Sequence, residues 1–176
     1  MESVRKGYEK LGVDNYYKIH SNDYVNPHFE IIKNLLEDYL KTNNIGNNIL
    51  DLCCGSGEVT TILKSFDERY QIVGLDPYLY NTYHKNTNNE CLSFDFKDIV
   101  CGKLKQHRYD TIICSFAMHL CEESMLNSLL YQLSLVTNNL IIITPHKRPD
   151  IHNWFVLKNE YTKDRVRLRI YKKIVF

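Results

Sequence analysis

Residues 47–60, NNILDLCCGSGEVT, join an apolar run, two adjacent cysteines and a Gly-Ser-Gly turn. The apolar run has the composition of a buried strand, and VTTILKSF at residues 59–66 has helical character. Glycines allow the backbone to pass close to a ligand, and free amides at the start of a helix can face that ligand. A strand, a glycine turn and a helix in this order predict one unit of an α/β ligand-binding domain.

Apolar runs with strand composition recur along the chain, at residues 48–53, 70–75, 91–94, 109–115 and 140–144. They are continuous rather than alternating, which is typical of parallel strands that are covered on both faces. The strongest helical stripe between them consists of Met125, Leu126, Leu129, Leu130 and Leu133. This alternation predicts a three-layer α/β fold around a parallel sheet with right-handed crossovers. Because the connections around the third run are short, we expect reduced helices at that edge of the sheet.

The two ends of the chain depart from this alternation. Residues 1–25 are rich in tyrosine without a clear period and predict an extended or irregular N-terminal arm. A helix is expected next, with Asn26 as its N-cap and Pro27 at its first position. Residues 154–176 predict an antiparallel hairpin, so the sheet is expected to be mostly parallel with an antiparallel C-terminal end. The 176 residues suffice for one domain, with residues 47–145 as its ligand-binding core.

The composition is that of a soluble globular protein, since 44% of the residues are hydrophobic and 24% are charged. No run approaches the roughly 18 apolar residues of a membrane span, and the start MESVRKGYEK lacks the apolar segment of a secretory signal. We therefore expect no membrane association and a cytoplasmic or nuclear location. A net charge of +1 provides no general attraction for nucleic acid, so any polyanion site would be local.

The six cysteines lie at positions 53, 54, 91, 101, 114 and 121, without a Cys-x-x-Cys pair or histidines at zinc-ligand spacing. We expect no metal site. Free cysteine packs as a small hydrophobic residue, so Cys91, Cys101 and Cys121 are predicted to be buried reduced thiols.

An acid follows the second predicted strand, in the sequence VGLDP that contains Asp76. It lies about twenty residues beyond the glycine turn, the separation at which an acid accepts hydrogen bonds from ribose hydroxyls. Asp76 alone could be the acid of an Asp-Pro turn, and a lone Gly-x-Gly could be structural. Both features at successive strand ends predict a nucleoside-type cofactor at the carboxyl edge of the sheet.

These motifs resemble those of class I S-adenosylmethionine-dependent methyltransferases. NILDLCCGSGEVT is similar to the first motif of that family, VGLDP to the second, SFDFKDI to the third, YDTIICSFAMHL to the fourth, and LIIITPHKRP to the fifth strand and its loop. The match runs in order over residues 26–145. YYKIHSNDYVNPH and TPHKRPDI also resemble small eukaryotic members whose acceptor is unassigned. The resemblance implies a Rossmann-like fold, S-adenosylmethionine as cofactor, S-adenosylhomocysteine as product, and methyl transfer to an acceptor that the motifs do not specify.

Roles for individual residues follow from this resemblance. It implies that Asp51, Cys53, Gly55 and Gly57 surround the methionine part of the cofactor, that Asp76 with Pro77 binds the ribose, that Asp95 and Phe96 lie near the adenine, and that Ser115 and Phe116 lie beside the transferring methyl. Asp98 is an alternative to Asp95, and core packing is an alternative role for Phe96.

The sequence departs from the family pattern at Cys53, where the first glycine of the motif is usual. A side chain there narrows the approach to the cofactor. Thr60 occupies the position of the last glycine in the Gly-x-Gly-x-x-Gly fingerprint of dinucleotide-binding enzymes, which favours a methyltransferase over a nicotinamide enzyme.

Two histidines are candidate general bases. His119 follows the fourth strand and His146 follows the fifth, both on the side of the sheet where the cofactor is expected. A base is required only if the acceptor atom must lose a proton. The alternatives are that His119 caps or packs at the next helix and that His146 belongs to a solvated basic turn.

Acceptor contacts are predicted for Tyr17, Tyr24 and His28 of the arm region and for Arg148 in the loop after the fifth strand. Basic residues of this loop and of residues 165–173 suit RNA or phosphorylated metabolites, although alternating charge on an exposed strand face is the preferred interpretation. Little room remains for a substrate domain, which favours a macromolecular acceptor or a partner subunit. A non-catalytic binding or scaffold subunit that keeps the fold is the competing hypothesis.

Overall fold

The predicted apolar runs form the strands of one sheet in the computed structural model, which describes residues 27–175. The strands are β1 (Asn48–Leu52), β2 (Gln71–Leu75), β3 (Cys91–Leu92), β4 (Thr111–Ser115), β5 (Asn139–Thr144), β6 (Phe155–Lys163) and β7 (Val166–Lys173). The helices are α1 (Phe29–Leu40), α2 (Glu58–Phe66), α3 (Tyr80–Thr87), α4 (Phe96–Val100) and α5 (Glu123–Val136), with a short 3-10 turn at Met118–Leu120.

The sheet has seven strands in the order β3-β2-β1-β4-β5-β7-β6. Strands β1 to β5 are parallel, and β7 runs antiparallel to both β5 and β6. The strand order reverses between β1 and β4, and a crevice opens beyond the carboxyl ends of strands at such a point. The predicted α/β class and the antiparallel C-terminal hairpin are confirmed.

Apolar side chains cover both faces of this sheet, as the continuous strand runs predict. One cluster joins α1 and α2 to the sheet through residues that include Ile32, Leu36 and Ile62. The other joins α5 through Leu129 and Leu133 to the opposite face. Strands β1 and β4 contribute to both clusters, so the strand ends at the crevice rest on a core packed from two sides. Within residues 27–175, no helix combines the length and apolar character needed to cross a membrane.

Some predicted boundaries were wrong for local reasons. Strand β3 ends at Leu92 rather than at residue 94, because Asp95 caps α4: its Oδ1 accepts from the Asp98 backbone N–H at 2.8 Å. Helix α1 begins at Phe29, with Pro27 in the preceding turn and His28 at the N-cap without a side-chain cap. Asn26, the predicted cap, lies outside the described residues. As predicted, the helices next to β3 are short.

The arginines of the terminal hairpin are more buried than the sequence predicted. Arg169 is only 9% exposed, and its guanidinium donates to Glu160 Oε2 at 2.6 Å and to the Lys147 carbonyl at 3.0 Å. Arg167 donates to the Pro145 carbonyl at 3.2 Å. The interpretation of an exposed strand face with alternating charge was therefore wrong for these arginines, which instead fix the loop after β5 to the hairpin.

The cysteines are all free, but they are not uniformly buried. Cys54 and Cys114 are buried, whereas Cys91 and Cys121 are half-buried and Cys101 is exposed. The prediction of burial was wrong for Cys101, which follows the last residue of the short helix α4 and faces solvent.

Candidate functional site

A cavity of about 960 Å³ lies beyond the carboxyl ends of β1, β2 and β4, where the strand order reverses. The predicted site residues that line it are Asp51, Cys53, Gly55, Asp76, Pro77, Asp95, Phe96, Ser115, Phe116, His119, His146 and His28. Gly57 and Arg148 are not among the described lining residues. Tyr17 and Tyr24 lie outside the described part of the chain.

The loop after β1 has an unusual backbone. Cys53 and Gly55 both have φ of 56°, and Gly57 has φ of 99°. The left-handed region is readily occupied by glycine and costs other residues energy. Cys53 thus has a backbone conformation that glycine adopts most readily, and it is one of the residues that line the cavity.

Neither cysteine of the pair has the character of a nucleophile. Burial and the neighbouring thiols, Cys114 for Cys53 and Cys91 for Cys54, raise the pKa of both groups. The two sulfur atoms of Cys54 and Cys91 are 3.6 Å apart. Because the thiolate is the reactive form, both residues are neutral packing groups at physiological pH.

The carboxyl of Asp51 is buried at the end of β1, with 1% of the residue exposed. Its Oδ2 accepts from the Thr60 hydroxyl at 2.8 Å and from the Thr60 backbone N–H at 3.2 Å, and the Tyr83 hydroxyl lies 2.8 Å from the Thr60 hydroxyl. Burial raises the pKa of Asp51 to about 8, with a smaller contribution from the nearby carboxylates of Glu58 and Asp76. The protein environment therefore favours the protonated acid at neutral pH, and a cationic ligand would favour its ionised form.

Asp76 links the two loops that flank the cavity. Its Oδ2 accepts from the Gly55 backbone N–H at 3.1 Å, and its Oδ1 accepts from the N–H groups of Tyr78 and Leu79, each at 2.9 Å. Oδ2, which accepts only one of these three hydrogen bonds, has further acceptor capacity. The side chain can therefore hold the loop geometry and still accept hydrogen bonds from a bound ligand.

The wall at the β3 edge comes from the segment between β3 and α4. Phe94, Asp95, Phe96 and Lys97 line the cavity there. Asp98, the alternative to Asp95, forms an ion pair of 2.7 Å with Lys103 and is not among the described lining residues. Phe96 also packs against the core cluster, so its two predicted roles are compatible.

The opposite wall is built on residues that follow β4. Phe116 has φ of 56°, a strained conformation for an aromatic residue. Its ring stacks on the imidazole of His28, with centroids 5.1 Å apart and an interplanar angle of 27°. Strained residues cluster at functional sites, and this one places an aromatic surface between α1 and the cavity.

His119 and His146 meet at the same side of the cavity, with ring centroids 4.4 Å apart. Within residues 27–175, neither His119 Nδ1 nor Ser115 Oγ has a hydrogen-bond partner, although both atoms are buried. Burial and the neighbouring His146 lower the pKa of His119 to about 4. The imidazole of His119 is therefore neutral at physiological pH and has a nitrogen available to accept a proton.

Sequence reasoning missed several lining residues, among them Glu58, Tyr78, Phe94, Leu120 and Met125. Glu58 follows the glycine turn directly, and its position in the first motif was a usable signal. Leu120 and Met125 reach the cavity through the 3-10 turn and the start of α5. Their participation depends on how that connection folds over the sheet, which no local pattern indicates.

Comparison with known proteins agrees with this geometry. Residues 25–156 match the family described as "Methyltransferase domain". An uncharacterised protein of Schizosaccharomyces pombe is 30% identical, with 97% of this chain and 92% of the relative aligned.

Solved structures share the fold at low sequence identity. Magnesium protoporphyrin IX methyltransferase from Synechocystis, solved with bound S-adenosylmethionine, is 16% identical, with a TM-score of 0.65 over 97% of this chain and 95% of that one. An O-methyltransferase family protein from Burkholderia thailandensis is 11% identical, with a TM-score of 0.69 over 94% of this chain and 62% of that one. The solved structures show the shared fold, and the match over residues 25–156 shows that the chain belongs to the methyltransferase domain family.

Proposed function

We propose that this protein is an enzyme that transfers a methyl group from S-adenosylmethionine to an acceptor whose reacting atom loses a proton. The observation that carries the proposal is the convergence of Asp51, Asp76 and the neutral His119 on one cavity of about 960 Å³. The fold shared with a methyltransferase solved with S-adenosylmethionine, and also with S-adenosylhomocysteine, supports the choice of cofactor.

The chain's residues fit the parts of that cofactor. We assign the methionine end to the loop after β1, with Asp51, Cys53, Gly55 and Gly57. Asp76 and Pro77 would hold the ribose, because the Asp76 carboxylate keeps acceptor capacity beside its three backbone donors. Asp95 and Phe96 would hold the adenine through an acceptor and an apolar ring. The cofactor supplies an activated methyl group on a sulfonium.

Catalysis would consist mainly of orientation and proton removal. Aligning two reactants can lower a barrier by roughly 7–11 kcal/mol without a covalent intermediate. Ser115 and Phe116 would shape the position of the reacting atoms. His119, whose Nδ1 has no described partner, would accept the acceptor's proton, and burial together with His146 would keep the imidazole of His119 neutral.

The acceptor side of the cavity is formed by rings. His28 and Phe116 form one pair of neighbouring rings, and His119 and His146 form a second pair. We propose Tyr17, Tyr24 and Arg148 as further acceptor contacts. The loop residues Lys147 and Arg148 are exposed and favour an acceptor that carries an anionic group, a class that includes RNA. A partner subunit would complete the acceptor site.

The direct test combines binding and turnover. Calorimetry should show that the protein binds S-adenosylmethionine, and radiolabelled methyl groups should then appear in one of the RNA, protein or metabolite fractions of a cell extract. Binding without transfer to any fraction would favour a non-catalytic subunit. If labelled RNA appears, binding of that RNA should fall steeply with salt.

Cys53→Gly tests whether the cysteine crowds the cofactor. We expect S-adenosylmethionine to bind a few-fold more tightly, because the substitution removes the side chain of a residue that lines the cavity. Stability should change separately, because glycine relieves a left-handed backbone conformation that costs roughly 1 kcal/mol. Calorimetry and thermal unfolding measure the two effects separately.

The matched control is Asn88→Gly, which has the same φ of 56° at the end of α3 and does not line the cavity. It should alter stability without altering affinity. Unchanged affinity in Cys53→Gly would show that the thiol does not crowd the cofactor.

A further inference from the structure

Glu58, the first residue of α2, folds its carboxylate back over the loop that precedes it. Its Oε1 accepts from the Ser56 hydroxyl at 3.1 Å, and its Oε2 lies 3.5 Å from the position that a Cβ on Gly55 would take. The Gly57 N–H donates to the Cys54 carbonyl at 2.9 Å, within the same turn. A side-chain carboxylate therefore already lies against the loop at the N-terminus of α2.

This position matters because a helix N-terminus is a ready-made site for phosphate. Free N–H groups and the helix dipole both favour an anion there, and dinucleotide-binding folds place the pyrophosphate at the corresponding helix. In this chain Glu58 occupies that place and lines the cavity as well. A phosphate would have to displace a carboxylate of its own sign.

The charges around the loop also disfavour a phosphate. Beside burial, which is the main cause, Glu58 and Asp76 raise the pKa of Asp51 as like charges, and Asp76 raises the pKa of Glu58 in the same way. Lys97 is the one lysine or arginine among the described residues that line the cavity, and it belongs to α4. A cationic ligand favours the ionised form of each of these three carboxyl groups, Asp51 included, whereas an anionic ligand does not, so the site favours a cationic ligand over an anionic one.

We propose that Glu58 is a specificity-determining residue, whose carboxylate closes the N-terminus of α2 to phosphate groups and reserves the loop for the positively charged methionine end of the cofactor. This inference rests on the proposed placement of S-adenosylmethionine in the cavity. It explains how a strand, glycine loop and helix that resemble a dinucleotide-binding unit would select a nucleoside that carries a sulfonium and an ammonium group.

Glu58→Gln tests the proposal with three ligands that share an adenosyl group. Glutamine keeps the shape and the hydrogen bond from Ser56 but removes the charge. We expect S-adenosylmethionine to bind about tenfold more weakly, ADP to bind about tenfold more tightly and adenosine to bind unchanged, since a tenfold change corresponds to one modest charge interaction. Calorimetry on the full chain measures all three affinities.

Two further variants separate charge from shape. Glu68→Gln removes one acid from an exposed position outside the cavity and should leave all three affinities as they are. Glu58→Asp keeps the charge and should still reject ADP. Thermal unfolding should show that each variant is folded, so that the measured affinities are those of folded proteins.

The outcomes distinguish this inference from the proposed function. If the unmodified protein binds S-adenosylmethionine and Glu58→Gln binds both it and ADP with unaltered affinity, Glu58 does not set specificity. Equal weakening of adenosine, or a gain of ADP binding in Glu58→Asp, would likewise overturn the role of the charge. Failure of the unmodified protein to bind S-adenosylmethionine would overturn the proposed function itself, and this inference with it.

Discussion

Replacing Asp76 with alanine should reduce the affinity for S-adenosylmethionine by at least about a hundredfold. The substitution removes the proposed ribose acceptor, and hydrogen bonds to a charged group contribute roughly 1.5–3 kcal/mol each. It also leaves three backbone N–H groups, those of Gly55, Tyr78 and Leu79, without their acceptor. Both the ligand contact and the loop that frames it are therefore lost, and calorimetry should detect little or no binding.

The same substitution should lower the stability of the free protein. A buried donor that loses its partner costs roughly 1–3 kcal/mol, and Leu79 is buried. Asp76→Asn separates the two effects, because the amide oxygen can still accept from Tyr78 and Leu79 while its NH₂ group faces the Gly55 N–H. We expect Asp76→Asn to unfold closer to the unmodified protein and still bind the cofactor weakly.

Asp67→Asn is a suitable control for this pair. Asp67 also bonds nearby backbone and accepts from Arg69, but it lies at the C-terminal end of α2, away from the cavity. Its loss should leave cofactor affinity unaltered. Wild-type affinity in a folded Asp76→Ala protein would contradict the placement of the ribose at this carboxylate.

The lining residues that could be predicted from the sequence share one property. Asp51, Asp76 and Ser115 each lie at or just beyond the end of a strand, and the carboxyl ends of parallel strands meet at one edge of a sheet. Chain order and strand composition are then sufficient to bring them together. The glycine turn was predictable for a similar reason, since its backbone requirement is local.

The features that were not predicted depend on contacts between distant parts of the chain. His28 stacks on Phe116 because α1 packs beside the end of β4. Arg169 is buried because Glu160 and the Lys147 carbonyl meet it from two other segments. A pattern of charges along one strand carries no information about such partners, so an exposed strand face was the natural but wrong interpretation.

The length of β3 shows a conflict between two local signals. The apolar run at residues 91–94 indicated a longer strand, but the capping box of Asp95 and Asp98 begins a helix at Phe96. The cap was visible in the sequence, and it determined the boundary because two reciprocal hydrogen bonds satisfy backbone donors that a short edge strand would leave open. Phe94 was thereby released from the sheet and lines the cavity.

Replacing His119 with alanine should lower the turnover number by about a hundredfold or more, the usual contribution of a general base, while leaving cofactor affinity intact. His119 carries the available nitrogen at the acceptor side, and no described residue bonds its Nδ1. The measurement is the initial rate of methyl transfer into the fraction that the labelling experiment identifies, at saturating S-adenosylmethionine.

The pH dependence of turnover gives the base role a separate signature. Since burial and His146 lower the pKa of His119 to about 4, the imidazole is in its basic form throughout neutral pH. Turnover should be insensitive to this group between roughly pH 6 and 8 and should fall as the pH decreases through about 4, where the imidazole becomes protonated. Replacing His146 with glutamine removes one cause of the lowered pKa of His119, so the fall in turnover at acidic pH should shift to higher pH.

His152→Ala is the control, because His152 is exposed and does not line the cavity. It should reproduce the rate and the pH profile of the unmodified protein. A His119→Ala protein that binds S-adenosylmethionine and transfers methyl at an undiminished rate would show that the acceptor needs no base. The two histidine rings would then serve to shape the acceptor pocket, and the acceptor atom would be one that reacts through a lone pair and has no proton to lose.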